Sequence, residues 1–193
     1  MIKVVHRVNR IDELKKIPEE FGVEVDLRAE NGRIILNHEA FEGGDDFEEY
    51  MGFYKHSLLV LNIKESGIED KVIEIVKKNG VENYFLLDVE FPYIFRSAQE
   101  GFRNIALRYS EKEPIENVKV FEDKFDWIWI DTNTKLPLDS EIVSVLQKYK
   151  TCLVCPERWG RPEDIHQYKE LMKKLNFQPT AVMTAFDCLD SWS

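Results

Sequence analysis

Short apolar runs and amphipathic segments alternate along this chain with little slack between them. Strand-like runs fall at 3–8, 23–27, 57–64, 84–90, 104–109, 125–131, 151–155 and 180–186. They are rich in valine, isoleucine, leucine and aromatic residues, and they are too short to be buried helices. Amphipathic helical segments are predicted at 11–20, 45–54, 68–79, 92–100, 139–149 and 162–175. Gly80 sits where the 68–79 helix needs a left-handed cap, Asp139 or Ser140 caps the next-to-last helix, and Pro162 fits a first helical turn. One feature breaks the alternation. The Asn31-Gly32 pair is a hairpin turn signal, so the second strand doubles back as an arm over 33–37.

Strands separated by helices pair in parallel, and eight such units predict an α/β fold of the (β/α)8 TIM-barrel type. Such a barrel has about 250 residues, so 193 residues predict a minimal version with its last helix nearly absent. A doubly wound open sheet lacks its usual support, because no GxGxxG follows the first strand. With no repeat, linker or low-complexity tract, residues 1–193 are expected to be a single domain.

Composition narrows the classes rather than choosing one. A net charge of -10 argues against nucleic-acid binding, and no run approaches the ~20 apolar residues of a membrane span. Integral membrane contact is therefore not expected. Three cysteines without an export-like leader point to reduced thiols and a cytoplasmic protein. Cys152 and Cys155 have CxxC spacing, but in a strand that spacing sends the thiols to opposite faces, and zinc would need further ligands.

Barrel active sites form at the C-terminal strand ends. Those ends carry His6-Arg7, Glu24-x-Asp26, His38 after the hairpin arm, Asn62-x-Lys64, Asp88-x-Glu90, Arg108, Asp131 and Glu157-Arg158. A strand puts residues i and i+2 on one face, so Glu24 and Asp26 are neighbours. Two close carboxylates repel unless a proton or a cation offsets them, and oxygen ligands suit Mg²⁺ or Ca²⁺. Two histidines from neighbouring strands suit acid and base work near neutral pH, while Arg7 and Lys64 supply positive charge for a phosphate. Trp159, just past a strand end, is a candidate floor for a substrate pocket.

The order His-Arg, Glu-x-Asp, Asn-Gly-x-x-x-x-x-His resembles the glycerophosphodiester phosphodiesterases, within the superfamily of phosphatidylinositol-specific phospholipases C. The resemblance spans residues 6–64 by motif and the later chain only by strand order. It implies a metal-dependent phosphoric diester hydrolase acting on a small or lipid-derived phosphodiester. It also implies His6 and His38 as the acid/base pair, Glu24 and Asp26 as metal ligands, and Arg7 and Lys64 as phosphate-binding groups.

The chain departs from that pattern at several points. Val8 stands where the family has glycine after His-Arg, and no Pro-Glu-Asn-Thr run follows. Asn62 replaces a carboxylate ligand; its amide oxygen can still coordinate a metal but offsets less charge. Asp88 or Glu90 could supply the missing charge. An isolated strand-end histidine is commonly structural, and alternating charges are common on exposed strands. The sequence therefore also admits a catalytically inactive barrel that binds a phosphorylated ligand or partner, or a Schiff-base enzyme using Lys64. It leaves the leaving-group alcohol and the oligomeric state open.

Overall fold

Short buried apolar runs form the strands and set the sheet. The computed structural model describes Met1–Ser193, and the chain gathers into two units, one of Val4–Arg96 and one of Met1–Lys3 with Ser97–Ser193.

The first unit contains β1 (Ile2–Val5, shared by residue with the second unit), α1 (Ile11–Leu14), β2 (Gly22–Glu30), β3 (Arg33–Leu36), β4 (Asp45–Asp46) and α2 (Phe47–Met51). It continues through β5 (Leu59–Ile63), α3 (Glu69–Lys78), β6 (Tyr84–Leu87) and most of α4 (Phe91–Glu100). β1, β2, β5 and β6 pair in parallel, and β2 also carries the antiparallel arm β3–β4. Val23, Val25 and Leu27 of β2 are buried, and so are Glu24 and Asp26 on its opposite face. Burial on both faces is the normal state of a parallel strand, but carboxylates on one of them are not.

Helix ends follow the local chemistry. Asp46 caps α2, accepting from the Glu48 and Glu49 backbone N–H groups at 2.9 and 3.1 Å. Gly80, at φ 69°, follows the end of α3 in the left-handed conformation expected there. The helix predicted at 11–20 is only Ile11–Leu14, because Pro18 disfavours helical backbone at Ile17. The first strand stops at Val5 rather than 8, and Arg7 turns left-handed at φ 56°.

The second unit contains β7 (Ala106–Tyr109), α5 (Glu116–Lys119), β8 (Trp127–Ile130), α6 (Ser140–Leu146) and β9 (Lys150–Val154). A 3₁₀ turn at Pro156–Trp159, α7 (Asp164–Lys174), β10 (Ala181–Thr184) and a final 3₁₀ segment Phe186–Trp192 complete it. β7 to β10 are parallel in chain order, and Ile2 donates its N–H to the Thr180 carbonyl at 2.8 Å. Trp127 and Trp129 are buried on β8, as packing residues. Cys152 and Cys155 are buried and in no disulfide, and burial pushes the Cys155 thiol well up. No helix is long and apolar enough to cross a membrane.

Each unit thus contributes four parallel strands, and the eight with their intervening helices are the expected α/β, (β/α)8-type fold. The place of the last helix is taken by the short 3₁₀ segment.

The hairpin arm closes tightly against its own backbone. A Cβ added at Gly44 would overlap the Leu36 carbonyl oxygen and carbon, and backbone cannot yield as a flexible side chain does. Gly44→Ala is therefore expected to lose about 1–3 kcal/mol in urea unfolding. A neighbouring Gly43→Ala change, whose Cβ meets only a glutamate side-chain atom at 4.0 Å, should cost less.

Candidate active site

The alternation of β2 places Glu24 and Asp26 side by side, 1% and 0% exposed. The parallel register sets Asn62 of β5 directly beside Asp26. Asn62 does not face the carboxylates as a third acid would. Its Nδ2 donates to Glu24 Oε1 at 2.8 Å, while the Arg7 backbone N–H donates to Glu24 Oε2 at 2.7 Å. Arg7 is left-handed, at φ 56°, where it makes this contact. The next residue, Val8, donates its N–H to the Glu24 carbonyl, and its own carbonyl accepts from the Tyr50 hydroxyl at 3.0 Å. Val8 itself is buried, so the site of the expected glycine is a packed position and the unusual backbone falls one residue earlier.

Asp26 is held by a residue the sequence pattern did not flag. Asn9 Nδ2 donates to Asp26 Oδ2 at 2.8 Å, and Asn9 Oδ1 accepts from the Asp26 backbone N–H at 2.8 Å. Lys64 supplies the charge, with Nζ at 3.4 Å from Asp26 Oδ1 and 3.5 Å from Asp88 Oδ2. Asp88 therefore joins the site through Lys64. Glu90 is exposed, and its carbonyl starts the first turn of α4. His6 Nε2 lies 3.9 Å from Glu24 Oε2, and Arg7 Nε lies 3.9 Å from Asp26 Oδ2.

His38 comes from beyond β3. Its Nδ1 meets Glu39 Oε1 at 2.6 Å, and a Nδ1–H donated there leaves Nε2 as the acceptor nitrogen of the ring. Glu39 is held below the usual carboxylate range chiefly by its hydrogen bond to His38, with further pull from Arg7 and Arg28. Arg7 thus lies within electrostatic reach of the His38–Glu39 pair.

Burial pushes the Glu24 carboxyl up to about 7, and Asp26 pushes in the same direction. The hydrogen bonds from Asn62 and the Arg7 N–H oppose the shift, as does Lys64. Three buried polar atoms of the cluster have no hydrogen-bond partner: Asp26 Oδ1, Asn62 Oδ1 and Arg7 Nε. With Glu24, the two oxygens make an all-oxygen donor set that fits a hard cation, and the guanidinium nitrogen fits an anion. No three His, Cys, Asp or Glu side chains come together to hold an ion.

Trp159 stands in the second unit, 42% exposed, with Nε1 donating to Asp131 Oδ1 at 3.2 Å. Asp131 also accepts from Arg108 at 2.7 Å, so Arg108, Asp131 and Trp159 form one cluster.

No protein-family model matches the sequence, and no curated protein matches it at a significant level. Solved structures do match. A glycerophosphodiester phosphodiesterase from Agrobacterium tumefaciens str. C58 superposes with a TM-score of 0.63 at 11% identity, over 95% of this chain and 96% of that one. The fold is that of the glycerophosphodiester phosphodiesterases. A second structure from the same organism, assigned as a glycerophosphoryl diester phosphodiesterase, gives a TM-score of 0.62 at 13% identity over 95% of this chain and 93% of that one. At such identities the likeness carries the fold of the glycerophosphodiester phosphodiesterases, and the chemistry has to be argued from the residues themselves.

The raised Glu24 carboxyl has a defined sign in stability. Between an ordinary value of 4.5 and about 7, the folded state keeps a proton that the unfolded state has lost. Stability without divalent ions should therefore fall as pH rises through that window, by roughly 1.4 kcal/mol per pH unit, and then level off. Urea unfolding of the protein and of Glu24→Gln across pH 4.5–8 checks this. The difference between the two should carry the slope.

Proposed function

We propose that this chain hydrolyses a small or lipid-derived phosphodiester with the aid of Mg²⁺ or Ca²⁺, using His6 and His38 as its acid and base. One observation carries the reading. Asp26 Oδ1 and Asn62 Oδ1, buried acceptors that receive no hydrogen bond, occur in the same cluster as Arg7 Nε, which donates none, with Lys64 and His6 at ion-pair distance from the carboxylates. Such a cluster suits a cation and an anionic oxygen together, which is what a metal-assisted phosphodiester requires.

Glu24, Asp26 and Asn62 would hold the ion, which when bound neutralises and polarises the phosphoryl oxygens. Arg7 and Lys64 bind the remaining phosphate oxygens. Lys64 can turn toward phosphate because its contacts to Asp26 and Asp88 are long, at 3.4 and 3.5 Å. His38 moves its proton at Nε2, with Nδ1 committed to Glu39. His6, beside Glu24, serves the opposite side of the scissile bond. One histidine takes the proton of the attacking water or neighbouring hydroxyl, and the other returns one to the departing alcohol.

A second reading has its own support. Asn62 donates into Glu24, and Lys64 already offsets Asp26, which suits a barrel that binds a phosphorylated ligand without turnover. Calorimetric titration with Mg²⁺ and Ca²⁺ separates the two, because this second reading requires no metal binding.

Hydrolysis of bis(p-nitrophenyl) phosphate and of glycerophosphodiesters is expected with Mg²⁺ or Ca²⁺ and should stop with EDTA. His38→Ala should lower kcat by about 10²–10⁴-fold. Turnover that survives both EDTA and that substitution rules the mechanism out.

A further inference from the structure

Arg28 continues the alternation of Glu24 and Asp26 along β2, so it leaves the same face of the strand one step nearer the strand end. Its guanidinium holds two backbone carbonyls from segments on opposite sides of β2. Nε and Nη2 donate to the His38 carbonyl at 3.2 and 2.9 Å, and Nη1 donates to the Lys64 carbonyl at 3.1 Å. His38 follows β3 and Lys64 follows β5, the strands that flank β2. One planar group thus fixes the distance between the segment bearing the proton-moving imidazole and the segment bearing the phosphate-facing ammonium.

The residues around His38 give that segment its internal order. Asn37 Nδ2 donates to the Gly43 carbonyl, and Asn37 Oδ1 accepts from the Glu39 N–H, both at 2.9 Å. The Asn37 N–H also reaches the Asp26 carbonyl at 3.0 Å, which anchors the segment to β2. None of these bonds refers to β5. Among these contacts, Arg28 alone makes the link across to it.

We propose that Arg28 is a positioning residue that, by bridging the carbonyls of His38 and Lys64, sets the imidazole in register with the phosphate-binding lysine. This rests on the phosphodiesterase reading above. A guanidinium suits the task because its donors point in fixed, divergent directions, whereas an ammonium of equal charge is a single point. Arg28 also lines a cleft of about 520 Å³ with Glu30, Phe41 and Glu65, so a small guanidinium can enter when its side chain is removed.

The test uses the whole protein with Mg²⁺ and bis(p-nitrophenyl) phosphate. Arg28→Ala should lower kcat by about 10–100-fold, the scale of a misplaced reacting group, with KM changed less than about threefold. Methylguanidine should restore most of the loss and methylammonium little of it, and Arg28→Lys should fall between the protein and Arg28→Ala. A kcat within about twofold of the unsubstituted protein overturns the proposal. Equal rescue by both cations, or by neither, does so as well. If the unsubstituted protein shows no hydrolysis, the phosphodiesterase reading fails on its own, and amide hydrogen exchange then judges the clamp. Arg28→Ala should exchange faster at 37–43, and methylguanidine should slow it again. Unchanged exchange there, or acceleration spread equally over β5 and β6, overturns the clamp.

Discussion

Two carboxylates buried side by side on one strand face govern the first unit. Glu24 and Asp26 cannot both be ionised in a dry interior without compensation, because desolvation and mutual repulsion act in the same direction. The chain answers with neutral donors on one carboxylate and charge on the other. Glu24 receives hydrogen bonds from Asn62 and the Arg7 backbone, whereas Asp26 has Asn9 and the ammonium of Lys64. Much of the local backbone makes sense only as a consequence. Arg7 adopts a conformation that costs a non-glycine residue about 1–3 kcal/mol, and it persists because its N–H ends on a buried carboxylate.

The hairpin arm has a related role. β3 leaves β2 antiparallel, and β4 pairs with it for only two residues, so the arm adds little sheet. What it adds is His38, returned to the strand end by the Asn31-Gly32 turn and tied there through Asn37 and Arg28. The turn is left-handed at both positions, φ 50° and 77°, the geometry that matches the twist of paired strands. The arm therefore converts a local turn preference into the placement of the His38 imidazole.

Much of this was legible in the sequence because it follows a period. The i, i+2 spacing of Glu24 and Asp26, the apolar runs of the eight parallel strands and the Asn31-Gly32 signal all belong to repeating backbone geometry. The contacts of Asn9 and Arg28 follow from no such pattern. Each acts by reaching a particular backbone atom across the fold, and that depends on register rather than on neighbours in the chain. Arg28 did leave a trace, as the next member of the Glu24-Asp26 alternation. The orientation of Asn62 was also hidden, because an amide can present either its oxygen or its nitrogen and only the partner decides. Pro18 was a readable signal that the expected helix at 11–20 overran.

The ammonium of Lys64 bears on how the molecule comes into being. Held between Asp26 and Asp88, it is a cation built into the polypeptide and delivered with it. A raised Glu24 supplies the remaining compensation as a proton. The newly made chain can therefore close around its acidic centre without waiting for an ion from the surrounding solution. Under the proposed reaction, any ion would be recruited by a protein that is already folded.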